Sequence, residues 1–341
     1  MKAGTPLKDV NAFLANTMLG SATNENGEFT ITSVPAGSYE LVISHVGYLL
    51  KKQFIRLNPG QLLSVEFKVP QKTILFPDIE VTARRDKTWK RQLKYFTTAF
   101  LGTSRNATKC RITNPEVLTF QQDRGKYIFS ARARAPLLIE NKALGYRLHY
   151  LLEDFEINHG VVQYMGFPRF EFLKAHSKKQ QARWRKNRLK TYFGSQRHFL
   201  ASFLSRRHGQ NGFLVQAIRE LPIGDDIDRA YDVAPDSLVT GGNVAFQKRI
   251  SFAHFLQVTY TRKNEAPEYQ NWLARQSGIT RNDRTFFVPK AQTSWIKMNN
   301  PFAEVDTSGN IANPFAFTVY GYWGWERVAD ILPFEYHPDR K

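Results

Sequence analysis

The chain has 341 residues, of which 42% are hydrophobic and 23% charged. This is the composition of a folded protein with room for one or two domains, not of a disordered chain. No stretch approaches the roughly 20 consecutive apolar residues of a transmembrane helix, and the first six residues lack the apolar segment of a signal peptide. The single cysteine, Cys110, excludes an intramolecular disulfide and a cysteine-based zinc site.

The net charge of +18 is concentrated in one part of the chain. Residues 1–83 are neutral, residues 84–171 carry +8 and residues 220–341 carry −2. Residues 172–219 contain twelve Lys and Arg and no Asp or Glu. This asymmetry predicts a domain boundary near residue 84 and one strongly basic surface.

The neutral first segment has the pattern of a small β-domain. Alternating β-branched and aromatic residues predict strands, and Asn-Gly, Pro-Ala-Gly and Asn-Pro-Gly sequences predict the turns between them. Short strands at this spacing predict an antiparallel sandwich. The predicted strands cover residues 10–15, 28–32, 39–46, 53–57 and 63–69.

Three segments carry a family resemblance: residues 6–11, residues 26–31 and, most specifically, the run PAGSYELVISHVGY at 35–48. They resemble the carboxypeptidase-like regulatory domain, a transthyretin-like (prealbumin-like) β-sandwich of bacterial envelope proteins. The resemblance assigns residues 1–83 to this module. It implies a missing first strand and an envelope location, in the periplasm or at the outer membrane. Residues 78–83 resemble the segment that often follows the module, including in TonB-dependent receptors.

The remainder is predicted to be a linker helix followed by an α+β domain. In residues 84–104, Trp89, Leu93, Phe96 and Phe100 recur at helical spacing between a cap at Asp86 and a stop at Gly102. Residues 105–341 combine strand patterns with four predicted helices. These cover residues 177–193, a segment from a cap at Ser195 to a stop at Gly209, a segment from Pro267 to a stop at Gly278, and residues 325–332. The predicted class is therefore β-rich, an N-terminal antiparallel transthyretin-like sandwich followed by a basic α+β domain.

The second region also resembles an uncharacterised extension that follows the module in envelope proteins. The matching residues include Asn106-Ala107, Gly194-Ser195 with His198, Gly321-Tyr322-Trp323 and residues 326–330. This resemblance supplies no catalytic residues.

Catalytic and cofactor signatures are absent at sequence level. A His-x-x-Glu zinc pair, a His-Glu-x-x-His motif, a phosphate-binding loop and a dinucleotide fingerprint are all missing. Ser195 and His198 are close in sequence but lack a nucleophile elbow, so Ser195 is interpreted as a helix cap. His149, His159 and His254 are interpreted as histidines that bind no metal. Asp225, Asp226 and Asp228 lack the full spacing of a calcium-binding loop, so a calcium site there is not favoured. We predict no cofactor, no metal and no enzyme, with a hydrolase of peptide or envelope glycan as the alternative.

The basic segment is the candidate site. Its cations suit phosphates, and its aromatic residues suit base stacking or a membrane interface. A solvated basic helix with Trp184 packed inward is the competing interpretation. The candidate residues are Lys178, Lys179, Arg183, Trp184, Arg185, Lys186, Arg188 and Lys190.

The predicted function is that of a non-catalytic, envelope-associated interaction or structural protein. An envelope protein, a glycan or an anionic membrane surface is the expected partner. Nucleic-acid binding through residues 174–208 is an alternative of lower weight.

Overall fold

The computed structural model is β-rich, with 38% strand and 23% helix, and the strands of its sheets pair antiparallel. Two compact units are present. The first comprises Met1–Leu101 and Lys109–Trp184, and the second Gly102–Thr108 and Arg185–Lys341. The structure describes residues 4–72, 87–123, 125–221, 230–242, 244, 246–276 and 290–338.

The first unit opens with a four-stranded antiparallel sheet in the order β2-β1-β3-β4. Ala12 pairs with Ile43 and Tyr39 with Ile55. The run PAGSYELVISHVGY forms strand β3 as predicted, and the consecutive residues Leu41, Val42 and Ile43 are all buried, so both faces of the strand are covered. The strands are β1 (Asn11–Leu14), β2 (Gly20–Ala22), β3 (Gly37–Ser44) and β4 (Lys51–Leu57).

Two of the five predicted strands do not form, so these two predictions are wrong. Residues 28–32 and 63–69 are described but form no ladder, although 63–69 show alternating exposure. Next to this second segment, the described residues form a bridge between Tyr48 and Gln71. The pattern missed β2, because Gly20 is neither β-branched nor aromatic. A Cβ at Gly20 would lie 2.7 Å from the Cβ of Phe13, which explains why glycine occupies this pairing position.

A helix and a second sheet complete the first unit. The sheet has the order β5-β8-β9-β7-β6, and β10 pairs along the other side of β9. Its elements are α1 (Lys87–Leu101), β5 (Cys110–Ile112), β6 (Leu118–Asp123), β7 (Ile128–Ala133), β8 (Leu137–Asn141), β9 (Tyr146–Asn158) and β10 (Val161–Phe172).

Helix α1 packs on this sheet through the aromatic residues that predicted it. The rings of Phe96 and Phe100 lie 4.7 and 6.1 Å from that of Phe155. The helix ends before Gly102, whose φ of +91° is a glycine-favoured conformation. The predicted cap, Asp86, lies outside the described residues.

The N-terminal sheet shares a core with the second sheet of its unit. Phe13 and Val42 cluster with Phe167 of β10. The backbone N–H of Phe170 donates to the carbonyl of Thr17 at 2.8 Å, so a turn of the first sheet pairs with strand β10. These contacts tie the N-terminal module to the rest of its unit.

The second unit contains two sheets, in the orders β12-β11-β15-β16-β18 and β13-β14-β17. Phe199, Phe213, Tyr260 and Trp323 are among the buried residues of its core. The elements after β10 are α2 (Lys178–Tyr192), α3 (Gln196–Leu204), β11 (Phe213–Ile218), β12 (Tyr231–Asp232), β13 (Val239–Gly241), β14 (Gln247–Ile250), β15 (Phe255–Asn264), α4 (Pro267–Gln276), β16 (Ala291–Met298), β17 (Ala303–Asp306), β18 (Phe317–Gly321) and α5 (Tyr322–Trp325).

Helix α2 begins in the first unit and ends in the second. The predicted helix at 325–332 is instead the short helix α5 followed by a 3₁₀ turn at Val328–Asp330. None of the helices in the described part of the chain combines the length and hydropathy of a membrane-spanning segment. The boundaries predicted for the end of the N-terminal module, at residue 83, and of the linker helix, at residue 104, stay predictions.

Candidate functional site

The predicted basic segment forms helix α2, and local interactions fix both of its ends. Lys, Arg, Gln and Ala dominate its sequence, and these are strong helix formers. At the start, the Ser177 hydroxyl accepts from the N–H of Gln180 at 3.2 Å, and the Gln180 side chain accepts from the N–H of His176. At the end, the ammonium of Lys263 donates to the carbonyls of Lys190 and Phe193. A cation is favourable there because the last carbonyls of a helix carry partial negative charge.

The two aromatic side chains of α2 face the protein interior. Trp184 is 4% exposed, and its indole N–H donates to the carbonyl of Lys142 at 2.9 Å. Its ring lies against Gly145, where a Cβ would come within 2.3 Å of the indole. Tyr192 is 8% exposed and has the Arg197 guanidinium 5.3 Å from its ring centroid. The rings are therefore not presented for base stacking, and Trp184 does not belong to the accessible surface of the candidate site.

Six of the seven candidate cations are exposed, and Arg188 is half-buried. Helix α2 contains no acidic residue. Among ion pairs between residues that the structure describes, none involves the six exposed cations. Their positive charge is thus available to an external anion. The six are Lys178, Lys179, Arg183, Arg185, Lys186 and Lys190.

Ser195 and His198 do not form a nucleophile and base. The Ser195 hydroxyl accepts from the backbone N–H of His198 at 3.2 Å, as the N-cap of α3, so the helix-cap prediction is confirmed. The ring Nδ1 of His198 accepts from the N–H of Gly194 at 3.1 Å. Burial lowers the pKa of His198 to about 4, and Lys263 and Arg262 contribute to the same shift. At neutral pH the imidazole is uncharged and serves packing.

The histidines considered for a metal site do not assemble with other ligands. In the described parts of the chain, no group of three His, Cys, Asp or Glu side chains is placed to hold a metal ion. His149 instead lies 3.1 Å from a carboxylate oxygen of Glu171. The aspartates at 225, 226 and 228 lie outside the described residues.

Sequence reasoning missed a buried carboxyl group in the second unit. Asp330 accepts hydrogen bonds from the Ser104 hydroxyl and the Asn106 amide, both at 2.9 Å. Burial raises the pKa of Asp330 to about 6, although the two hydrogen bonds act in the opposite direction. The Asn106 amide also donates to the Thr191 hydroxyl at 2.9 Å, close to the end of α2.

Glu326 lies near Asp330 and shares its environment. Its pKa is raised well above the ordinary value, first by burial and then by the charge of Asp330, while Lys263 opposes the shift. Burial in turn lowers the pKa of Lys263 to about 8. Asn106 and residues 326–330 both belong to segments that resemble the uncharacterised extension, and the hydrogen bond from Asn106 to Asp330 joins these segments. That resemblance was the one signal in the sequence that linked them, because more than 200 residues separate them.

Comparison with known proteins gives one match. The family model described as CarboxypepD_reg-like domain matches residues 1–81. The comparisons with curated proteins and with solved structures gave no match. The matched segment contains the four-stranded sheet and all three sequence segments that predicted this module. This match supports the assignment of residues 1–81 to a CarboxypepD_reg-like domain.

Proposed function

We propose that this protein is a non-catalytic, envelope-associated interaction protein that presents helix α2 to an anionic surface. One observation carries the proposal: six exposed cations on α2 make no ion pair with the described residues, while both aromatic rings of the helix are buried. Exposed lysine and arginine side chains attract anions over a distance of about a Debye length. The use of Ser195 as a cap and of His198 in packing supports a non-catalytic role.

The N-terminal module takes the role of a structural and interaction domain in this proposal. Three contacts support it: the shared cluster around Phe167, the Thr17 backbone pairing, and an ion pair between Lys52 and Glu153 at 2.9 Å. Each joins the module to strand β9 or β10. We place the module at residues 1–83, the linker helix at 84–104 and the basic α+β domain at 105–341.

The envelope location is proposed from the N-terminal module. Carboxypeptidase-regulatory-like domains occur in extracellular and envelope proteins. Location and surface binding rest on different observations and need separate tests.

Fractionation of native cells tests the location. The gene is expressed with its own upstream coding sequence and a C-terminal epitope tag, and cytosolic, periplasmic and membrane fractions are probed separately. We expect the protein in the periplasmic or outer-membrane fraction. Recovery in the cytosolic fraction alone, with periplasmic and membrane markers correctly sorted, would refute the proposal.

A further inference from the structure

Four of the exposed cations of α2 form a single stripe. Lys179, Arg183, Lys186 and Lys190 follow the spacing i, i+4, i+7 and i+11, which places them within about 60° of one another around the helix axis. All four are exposed. At a rise of about 1.5 Å per residue, neighbouring charges are about 4.5 to 6 Å apart along the axis, and the stripe is about 16 Å long. The helix thus carries an evenly spaced row of positive charge.

The stripe lies on the side of α2 opposite its two aromatic residues. Around the helix axis, Trp184 and Tyr192 are about 130° and 150° from the centre of the stripe, and both are buried. Within the helix, the apolar residues nearest the stripe are Ala182 and the half-buried Leu189. Beyond the end of the helix, Phe193 is 38% exposed, and its ring centroid lies 5.2 Å from that of His198.

This arrangement favours one class of anionic partner. A membrane-surface helix places large apolar side chains on the bilayer side of its axis, and a single-stranded nucleic acid is gripped by aromatic stacking. The stripe has neither feature. A linear polymer whose negative charges are spaced along its length requires only a matching row of cations. Duplex nucleic acid and acidic polysaccharide both meet this requirement, and the proposed envelope location favours the polysaccharide.

We propose that the stripe Lys179–Arg183–Lys186–Lys190 is a docking track for a linear acidic polysaccharide. This inference rests on the proposed function and specifies the anion that α2 binds. Three of the four cations are lysines, which bind carboxylate groups as mobile point charges without fixed geometry. Recognition is therefore by charge and chain shape.

The number of charges sets the expected salt dependence. If four cations each displace one counterion, the logarithm of the affinity falls with the logarithm of salt concentration with a slope of about −2.8. Raising the salt from about 50 to 200 mM would then weaken binding about 50-fold.

Titration calorimetry with polygalacturonate tests the proposal. The stripe variant carries K179Q, R183Q, K186Q and K190Q, since glutamine keeps high helix propensity. The matched control removes four exposed cations from helix α1, with K87Q, K90Q, R91Q and K94Q. Circular dichroism checks that both variants fold. We expect the stripe variant to lose affinity by at least about tenfold and most of its salt dependence, and the control to stay within about threefold of the wild type.

Equal losses in the two variants would overturn the proposal, because binding would then follow net charge alone. Tighter binding to oligothymidylate, to a DNA duplex, or to vesicles of phosphatidylglycerol and phosphatidylcholine, than to polygalacturonate would also overturn it. Isolated cell envelopes serve as a second ligand. Binding to envelopes without binding to polygalacturonate would refute the docking track and leave the proposed function in place, whereas binding to neither would refute both.

Discussion

The contact between Gly145 and Trp184 allows a sharp test of how helix α2 is held. Gly145 adopts a φ of +73°, and a Cβ at this position would lie 2.3 to 2.8 Å from three atoms of the indole ring. Gly145→Ala therefore forces the indole to move. Because the indole N–H bonds the Lys142 carbonyl, its displacement also strains or breaks that hydrogen bond.

The size of the effect follows from two contributions. The left-handed backbone conformation costs alanine about 1–2 kcal/mol. Displacing the buried indole adds about 2–3 kcal/mol. Of this, about 1 kcal/mol is the hydrogen bond, and the rest is part of the roughly 3–5 kcal/mol that deleting a large buried ring costs. We therefore expect Gly145→Ala to lower the free energy of unfolding by about 3–5 kcal/mol.

Gly160→Ala is the matched control, because Gly160 has a φ of +82° and no atom within 4 Å of the added Cβ. It should cost only the backbone contribution of about 1–2 kcal/mol. Urea unfolding followed by circular dichroism measures both variants, and hydrogen exchange reports on the backbone amides of residues 178–184. Equal destabilisation by the two substitutions, with unchanged exchange in 178–184, would refute the account of how Trp184 anchors the helix.

Three further predictions concern single side chains. Ser195→Ala removes the cap of α3 and should lower stability by about 1 kcal/mol in urea unfolding; a loss below about 0.3 kcal/mol would contradict the capping role. Glu153→Gln breaks the half-exposed pair with Lys52 and should cost less than about 1 kcal/mol in the same assay; a larger loss would mean that the pair is a principal anchor of the module. Asp330→Asn should change how stability depends on pH. The pKa of Asp330 in the folded state, about 6, exceeds the ordinary 3.8, so its stabilising contribution is complete below about pH 4 and is lost as pH rises through 6. The stability of the variant relative to wild type, from urea unfolding, should therefore rise between pH 4 and 7, and a flat difference would refute the raised pKa.

Local patterns in the sequence were sufficient for several elements. The run at 35–48 predicted strand β3 from its β-branched and aromatic residues after a turn, although its alternation did not indicate that both faces of the strand are buried. The spacing of Phe96 and Phe100 predicted α1, and Ser195 was recognised as a cap from its position before an apolar helix face. For these three elements, the residues that indicate the secondary structure are neighbours in the sequence.

Contacts between distant segments could not be predicted in the same way. The pairing of Thr17 with β10 joins backbones, which carry no side-chain signal. The bonds from Ser104 and Asn106 to Asp330 depend on how the chain brings together segments more than 200 residues apart. For Trp184, the sequence left two orientations open, and the close approach to Gly145 determines the inward one.

Co-sedimentation of the purified full chain with isolated cell envelopes tests whether helix α2 binds an anionic envelope surface. We expect the wild-type protein to pellet with envelopes at about 50 mM salt and to be released by higher salt, and we expect the four-substitution stripe variant to stay in the supernatant. Failure of the wild-type protein to pellet at low salt, or equal pelleting of wild type and stripe variant, would contradict the claim that helix α2 binds an anionic envelope surface.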